Sequence, residues 1–409
     1  MNEKVYFIEN RRIINLFFDI SLLLYLIAYY IFYQDINSYA ANIRTLATIT
    51  IAICGTLMCI SYLRTIDYYL ITYIIFFIFG FVSLLWAKEG DLVISIFPSI
   101  IRTIIILIFL SVRIRTYDDI ERIMIIHIIT VVLLDFFIMN LMIDYYSLTD
   151  FFLKRFGDNF NYNSNATALL NSISFLFCLY FVTKVKKKWK IFILMTFFTF
   201  IIIICESKQG MISLILGFLL YIYISGNLKK KFKTGVASII LLFIIWELMM
   251  NVPELYKIIG YRFKSALGLI SQNSYVDVST VNRNNLLHQA VETWLMHPLI
   301  GTGMNNFPAI QTVKFGYYYA HNNYLELLAD LGLVGFLIYY SNYLRICLII
   351  INKKNKMQVV LKAIFYMMLF VDFTVVTFQD LRYQLVLYMI FLGLGKVTQY
   401  ERNNNGENI

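Results

Sequence analysis

Residues 93–112 read VISIFPSIIRTIIILIFLSV, twenty positions with a single charge, Arg102. A helix of that length, at about 1.5 Å per residue, crosses the roughly 30 Å hydrocarbon core of a bilayer. Outward from it, similar stretches recur near 12–33, 43–63, 68–87, 120–143, 165–183, 190–205, 210–225, 235–251, 322–350, 358–377 and 382–396. They predict an all-α polytopic transmembrane bundle of about twelve helices. Composition points the same way: 60% hydrophobic and 15% charged residues leave too little polar surface to cover a water-soluble globule of 409 residues. The 35 Phe and 31 Tyr suit a lipid-embedded core and interfacial aromatic belts. Leu16–Phe32 follows Arg11 and Arg12 as a signal peptide would, but it lacks a small-residue cleavage site and is read as an uncleaved first span.

The net charge of +10 is not spread as a nucleic-acid-binding face. It gathers in every second connection: Lys4 with Arg11 and Arg12, Arg64, Arg113 with Arg115, then the runs Lys184–Lys190, Lys229–Lys233 and Lys353–Lys356, and lastly Lys396 with Arg402. By the positive-inside rule both termini lie in the cytoplasm of a bacterial cytoplasmic membrane. The expected division is 1–251 for helices one to nine, 252–321 for one large extracytoplasmic loop, 322–396 for helices ten to twelve and 397–409 for a cytoplasmic tail. Shorter outer loops fall at 34–42, 88–92, 144–164, 206–209 and 378–381. The five cysteines sit in or beside spans and offer neither a disulfide framework nor a CxxC metal site.

A 70-residue connection far exceeds an ordinary loop, so function is sought there. Within it Arg283–His297, RNNLLHQAVETWLMH, spaces Leu286, Leu287, Ala290, Val291, Trp294 and Leu295 as one apolar helical face and stops at Pro298. It is read as an amphipathic helix on the outer membrane face. The loop re-enters the bilayer through His321-Asn-Asn-Tyr-Leu-Glu-Leu-Leu-Ala-Asp-Leu-Gly-Leu-Val-Gly335. At the mouth of a helix its positive end disfavours imidazolium, which leaves His321 a candidate general base. Asn322, Glu326 and Asp330 recur every four residues along one face, and ionisable groups in a span are functional candidates. Gly332 and Gly335 allow close helix approach. Gly301-Thr-Gly303 offers either a plain turn or a cradle of N–H groups for phosphate. Lys208, in the short turn Glu206–Gly210, and Arg283 are cations placed to pair with a pyrophosphate. Arg102 is expected to pair with Asp135. His288, Glu292 and His297 lie too loosely for a zinc site, so no metal and no cofactor is expected.

These residues resemble the O-antigen ligase and Wzy-type polysaccharide polymerase superfamily, whose mark is a long outer loop ending in H-N-x-x-L-x-x-x-x-x-x-G-x-x-G. His321, Asn322, Leu325, Gly332 and Gly335 fit it, preceded by Arg283, Pro298, Gly301, Gly303 and Phe307 in the family's order. Weaker echoes are Ser83–Ala87, Asn165–Ala168 and Ser207-Lys-Gln-Gly210, where Lys208 stands in for a family arginine. The resemblance implies an inverting, metal-independent glycosyltransferase. It would use an undecaprenyl-pyrophosphate-linked oligosaccharide on the outer face of the membrane. His321 would be the base, Arg283 and Lys208 the pyrophosphate contacts, and Asn322, Glu326, Asp330, Gly301 and Gly303 the supporting residues. A flippase and a chain-length regulator are the expected pathway partners, beside the lipid bilayer. The Ile, Asn and Lys-rich usage tilts the reading to a capsule or exopolysaccharide repeat-unit polymerase. The alternatives are a ligase acting on lipid A core or another acceptor, and a lipid-linked oligosaccharide transporter.

Overall fold

A computed structural model describes residues 2–32, 38–60, 67–147, 154–160, 162–226, 278–311, 319–350 and 355–397, with scattered positions at 151 and between 246 and 264. The described residues are helical and contain no strand. The helices are α1 (Asn2–Tyr30), α2 (Ser38–Ile60), α3 (Tyr68–Val82), α4 (Gly90–Arg113), α5 (Tyr117–Tyr145), α6 (Ser164–Val182), α7 (Lys188–Ile204), α8 (Lys208–Ser225), α9 (Val278–Met296), α10 (Asn323–Ile350), α11 (Lys356–Val371) and α12 (Leu381–Phe391). Side chains placed in the sequence start several of them. Asp67 accepts the Leu70 N–H at 3.1 Å, Asn163 those of Asn165 and Ala166, Ser207 that of Gly210, and Asn355 forms a capping box with Gln358.

Eight described helices are long and apolar enough to cross a membrane, so the chain is a multi-pass membrane protein: 12–30, 39–59, 68–85, 90–113, 117–145, 164–182, 208–225 and 323–350. The other expected spans at α7, α11 and α12 are helical but shorter, with 17, 16 and 11 residues. The expected ninth span, 235–251, falls largely outside the described residues. Apolar side chains face outward along the helices, among them Leu16, Phe17 and Leu24 on α1 and Leu337, Leu344 and Leu348 on α10. Such a surface is at home in lipid and not in water.

By internal contact the chain groups differently from the division expected from its sequence. One compact unit comprises Met1–Thr130, Leu286–Asn352 and Val375–Ile409, the other Val131–Asn285 and Lys353–Thr374. In the first, α1 packs on α2, α2 and α3 on α4, α3 on α10 and α12 on α4, around Phe18, Leu22, Phe76, Leu107 and Tyr339. Arg113 is buried at the end of α4 because Asp19 takes its guanidinium at 2.7 Å and Asp119 takes a second nitrogen. In the second unit α6 is central: all but three of its nineteen residues are buried, against α7, α8 and α11. Asp135 there accepts from Asn171 Nδ2 at 3.0 Å, while Arg102 belongs to the first unit.

The expectation of one straight span over 322–350 needs correction. Gly332 takes φ +61 and ψ −165, a region essentially closed to residues with a Cβ, and the helix breaks there. The chain then folds back. Asn323 Nδ2 donates to Tyr340 Oη at 2.9 Å, and the Tyr324 and Tyr340 rings stack with centroids 4.8 Å apart. In a straight helix those positions would be about 25 Å apart. Thus α10 is a helical hairpin of two arms, 323–331 and 333–350. At Gly335 a Cβ would run into the Leu331 side chain across the bend.

Candidate functional site

Most of the sequence-selected residues come together in the first unit. The short arm of α10 begins at Asn323, and Asn322 caps it by accepting the Leu325 N–H at 3.1 Å. His321, one residue earlier, has φ +53, a left-handed conformation in which His is enriched over most residues. Its imidazole is partly exposed and packs on the Tyr319 ring, with centroids 4.1 Å apart. The hairpin sets this residue near the level of Tyr340, beside the long arm, instead of at the end of a single span.

Glu326 and Asp330 share a buried face, as their spacing implied, and each receives backbone amides. Glu326 accepts the Ala320 N–H, which fixes the residue next to His321. Asp330 accepts three N–H groups from the loop before it: Asn305 at 2.8 Å, Asn306 at 3.1 Å and Phe307 at 2.8 Å. Buried polar groups need such partners, and charge-assisted bonds are the strongest available.

The Gly301–Phe307 stretch is therefore a docked turn. Gly301 and Gly303 have φ +65 and +111, and a Cβ at Gly301 would strike the Asp330 backbone carbonyl. The Gly301 N–H goes to His297 O, Thr302 to Ala329 O, Gly303 to Asp330 O and Met304 to Ser83 Oγ; the next three go to the Asp330 carboxylate. Every N–H from Gly301 to Phe307 thus has an acceptor in the protein, which selects the turn over the phosphate cradle. Residues 298–299 also accept the Leu333 and Val334 N–H groups freed at the bend, at 2.9 and 3.1 Å. In this way two of the N–H groups freed by the break in α10 find acceptors.

Residues that sequence reasoning did not select complete this frame. Asn306 accepts the Glu89 N–H at 2.7 Å and donates to Glu89 O at 3.2 Å, and Met304 binds Ser83. The Ser83–Ala87 echo is the seat on which the turn rests. Asn323, fully buried, accepts the Thr377 and Phe378 N–H groups at 2.8 and 3.1 Å and anchors the connection before α12. Leu286 and Ala290 of α9 pack against Phe307, Ala320 and Ala329. The amphipathic face of α9 is accordingly spent on this frame, while Leu295 and Met296 at its end stay exposed.

Lys208 and Arg283 belong to the second unit. Lys208 opens α8, where the positive helix end and the ammonium both favour an anion. Its Nζ lies 3.4 Å from Thr280 Oγ1, one helical turn before Arg283 on α9. Arg283 is partly exposed. His288, Glu292 and His297 do not assemble, and among the described residues no three His, Cys, Asp or Glu side chains form a metal-ligand group.

Residues 191–340 match the protein-family model described as O-antigen ligase, a stretch that runs from α7 through the Lys208 turn and α9 to the long arm of α10. No curated protein matches the chain.

Proposed function

We propose, from the O-antigen ligase domain carried by residues 191–340, that this chain is a membrane glycosyltransferase acting on undecaprenyl-pyrophosphate-linked oligosaccharide at the outer face of a bacterial cytoplasmic membrane. Its preferred role is to polymerise repeat units into a capsule or exopolysaccharide. About twelve spans, cytoplasmic termini and an extracytoplasmic 252–321 loop complete the reading, and a flippase and chain-length regulator act beside it.

The single observation that carries it is His321 at the head of the short arm of α10. It is held there by the Asn322 cap and by the Glu326 bond to Ala320. In the reaction an acceptor sugar hydroxyl attacks the anomeric carbon of the donor glycan. The new glycosidic C–O bond forms with inversion as the anomeric carbon's bond to the phosphate oxygen breaks. His321 takes the hydroxyl proton. Undecaprenyl diphosphate departs with the bonding electrons, and its charge is met by Arg283 and Lys208 without a metal. Asn322, Glu326, Asp330, Gly301 and Gly303 hold the frame around the base.

The family description favours a second reading, a ligase that passes the glycan to lipid A core or another acceptor. Purified protein in nanodiscs, given a lipid-linked repeat unit alone, separates the two. A ladder of lengthened lipid-linked chains is the expected result. Transfer only when a distinct acceptor is added would establish the ligase, and no transfer under either condition would remove the enzyme reading.

A further inference from the structure

Arg155 does not figure in the chemistry above, yet its guanidinium is the hub of the segment before α6. Nε donates to Cys205 O at 2.9 Å, Nη1 to Asp158 Oδ2 at 3.0 Å and Nη2 to Asn165 Oδ1 at 2.8 Å. Asn165 Oδ1 also receives Ser207 Oγ at 2.8 Å, and Ser207 Oγ caps α8 by accepting the Gly210 N–H at 3.1 Å. Beside this relay the Phe156 N–H donates to Ile204 O at 3.1 Å, a second strap across the end of α7. Apart from the bond to Asp158, these bonds converge on the end of α7, the turn Cys205–Ser207, with Glu206 at φ +47, and the cap of α8, whose first residue is Lys208.

A lysine is a point charge on a flexible stem, with no fixed fork to dictate where it meets a phosphate. Its aim depends on the backbone it leaves from. We infer that Arg155 is a positioning residue that, through Cys205 and the Asn165–Ser207 relay, fixes the turn from which Lys208 addresses the lipid diphosphate. With three protein acceptors on its guanidinium, Arg155 acts on Lys208 and not on the ligand. The inference rests on the reading of Lys208 as a diphosphate contact. It also explains the Asn165–Ala168 echo, because Asn165 is the joint between Arg155 and the cap of α8.

The test is a double-mutant cycle read by binding of undecaprenyl diphosphate to the full-length protein in nanodiscs. Lys208→Ala is expected to weaken binding about tenfold, the size of one charge-assisted hydrogen bond. Arg155→Ala should come within about threefold of that loss, and adding it to Lys208→Ala should cost nothing further. Arg155→Lys, which keeps the charge but whose single nitrogen cannot span the three acceptors that Nε, Nη1 and Nη2 reach, should fold, and should bind like Arg155→Ala. Asn165→Ala breaks only the relay and gives the same reading should Arg155→Ala not fold. If Lys208→Ala weakens binding and both Arg155→Lys and Asn165→Ala leave it unchanged, the positioning role is wrong and the Lys208 reading stands. Losses that multiply in the double variant would make Arg155 an independent contact and overturn the inference. If Lys208→Ala itself has no effect, the Lys208 reading falls and takes the inference with it.

Discussion

Asn323 donates from Nδ2 to the hydroxyl of Tyr340 at 2.9 Å, although seventeen residues separate them along α10. This bond closes the hairpin at its open end, while Gly332 makes the bend at the other. The same Asn323 carries two amides of the 377–378 turn on its carbonyl oxygen. One buried side chain thus joins the two arms of α10 to the connection before α12, and His321 stands two residues before it.

The bend makes Gly332 the least replaceable position in the hairpin. A Cβ there would meet the Leu299 carbonyl and the Ile300 nitrogen, both backbone atoms that cannot step aside. The φ +61 conformation adds about 1–3 kcal/mol for any residue with a side chain. Gly332→Ala should therefore abolish folded protein or lower its melting temperature in detergent by several degrees. Gly335→Ala, which meets only the Leu331 side chain, should be milder. Equal stability of Gly332→Ala and wild type would contradict the hairpin.

Asp330 collects three amides, and an amide side chain of the same shape cannot. Asn keeps one carbonyl oxygen, but its NH₂ group faces N–H donors where Asp330 accepts from Asn305, Asn306 and Phe307. Asp330→Asn should cost about 1.5–3 kcal/mol, the range for a hydrogen bond to a charged group. The loss should appear as a lower detergent melting temperature. Wild-type melting with lost transfer activity would instead make Asp330 a participant in the chemistry.

Much of this frame was legible in the sequence, and what was not has a physical reason. Hydropathy located the helices, because lipid demands long apolar runs whatever their packing. The four-residue recurrence of Glu326 and Asp330 correctly placed both on one face. Their partners, Ala320 and residues 305–307, carry no local signal, since any backbone amide serves. Gly332 with Gly335 reads equally as a helix-packing motif or a break, and only a positive φ decides. Arg155 carries no local signal of its role, because Cys205, whose carbonyl it holds, lies fifty positions further along the chain.

The two cations selected for the diphosphate are expected to act on donor binding. Arg283→Ala should raise the donor KM about tenfold with a smaller change in kcat, measured with lipid-linked repeat unit in nanodiscs. Lys208→Arg keeps the charge at the start of α8 and should retain activity within a few-fold. An unchanged donor KM in Arg283→Ala would remove that contact, and an inactive, folded Lys208→Arg would mean that the site requires the compact ammonium.

His321 occupies a left-handed backbone position, which allows its chemistry to be separated from its conformation. At φ +53 an alanine keeps the steric penalty of a Cβ, whereas a glycine does not. His321→Gly should therefore fold within about 1 kcal/mol of wild type, since relief of strain offsets the greater freedom of the unfolded chain. Both His321→Gly and His321→Ala should lose transfer by about 10²–10⁴-fold, the range for removal of a general base. Glycan transfer at fixed protein level and melting in detergent together read the result. Near-normal transfer by a well-folded His321→Gly would show that the residue is needed for its backbone alone, and the proton acceptor would have to be sought elsewhere.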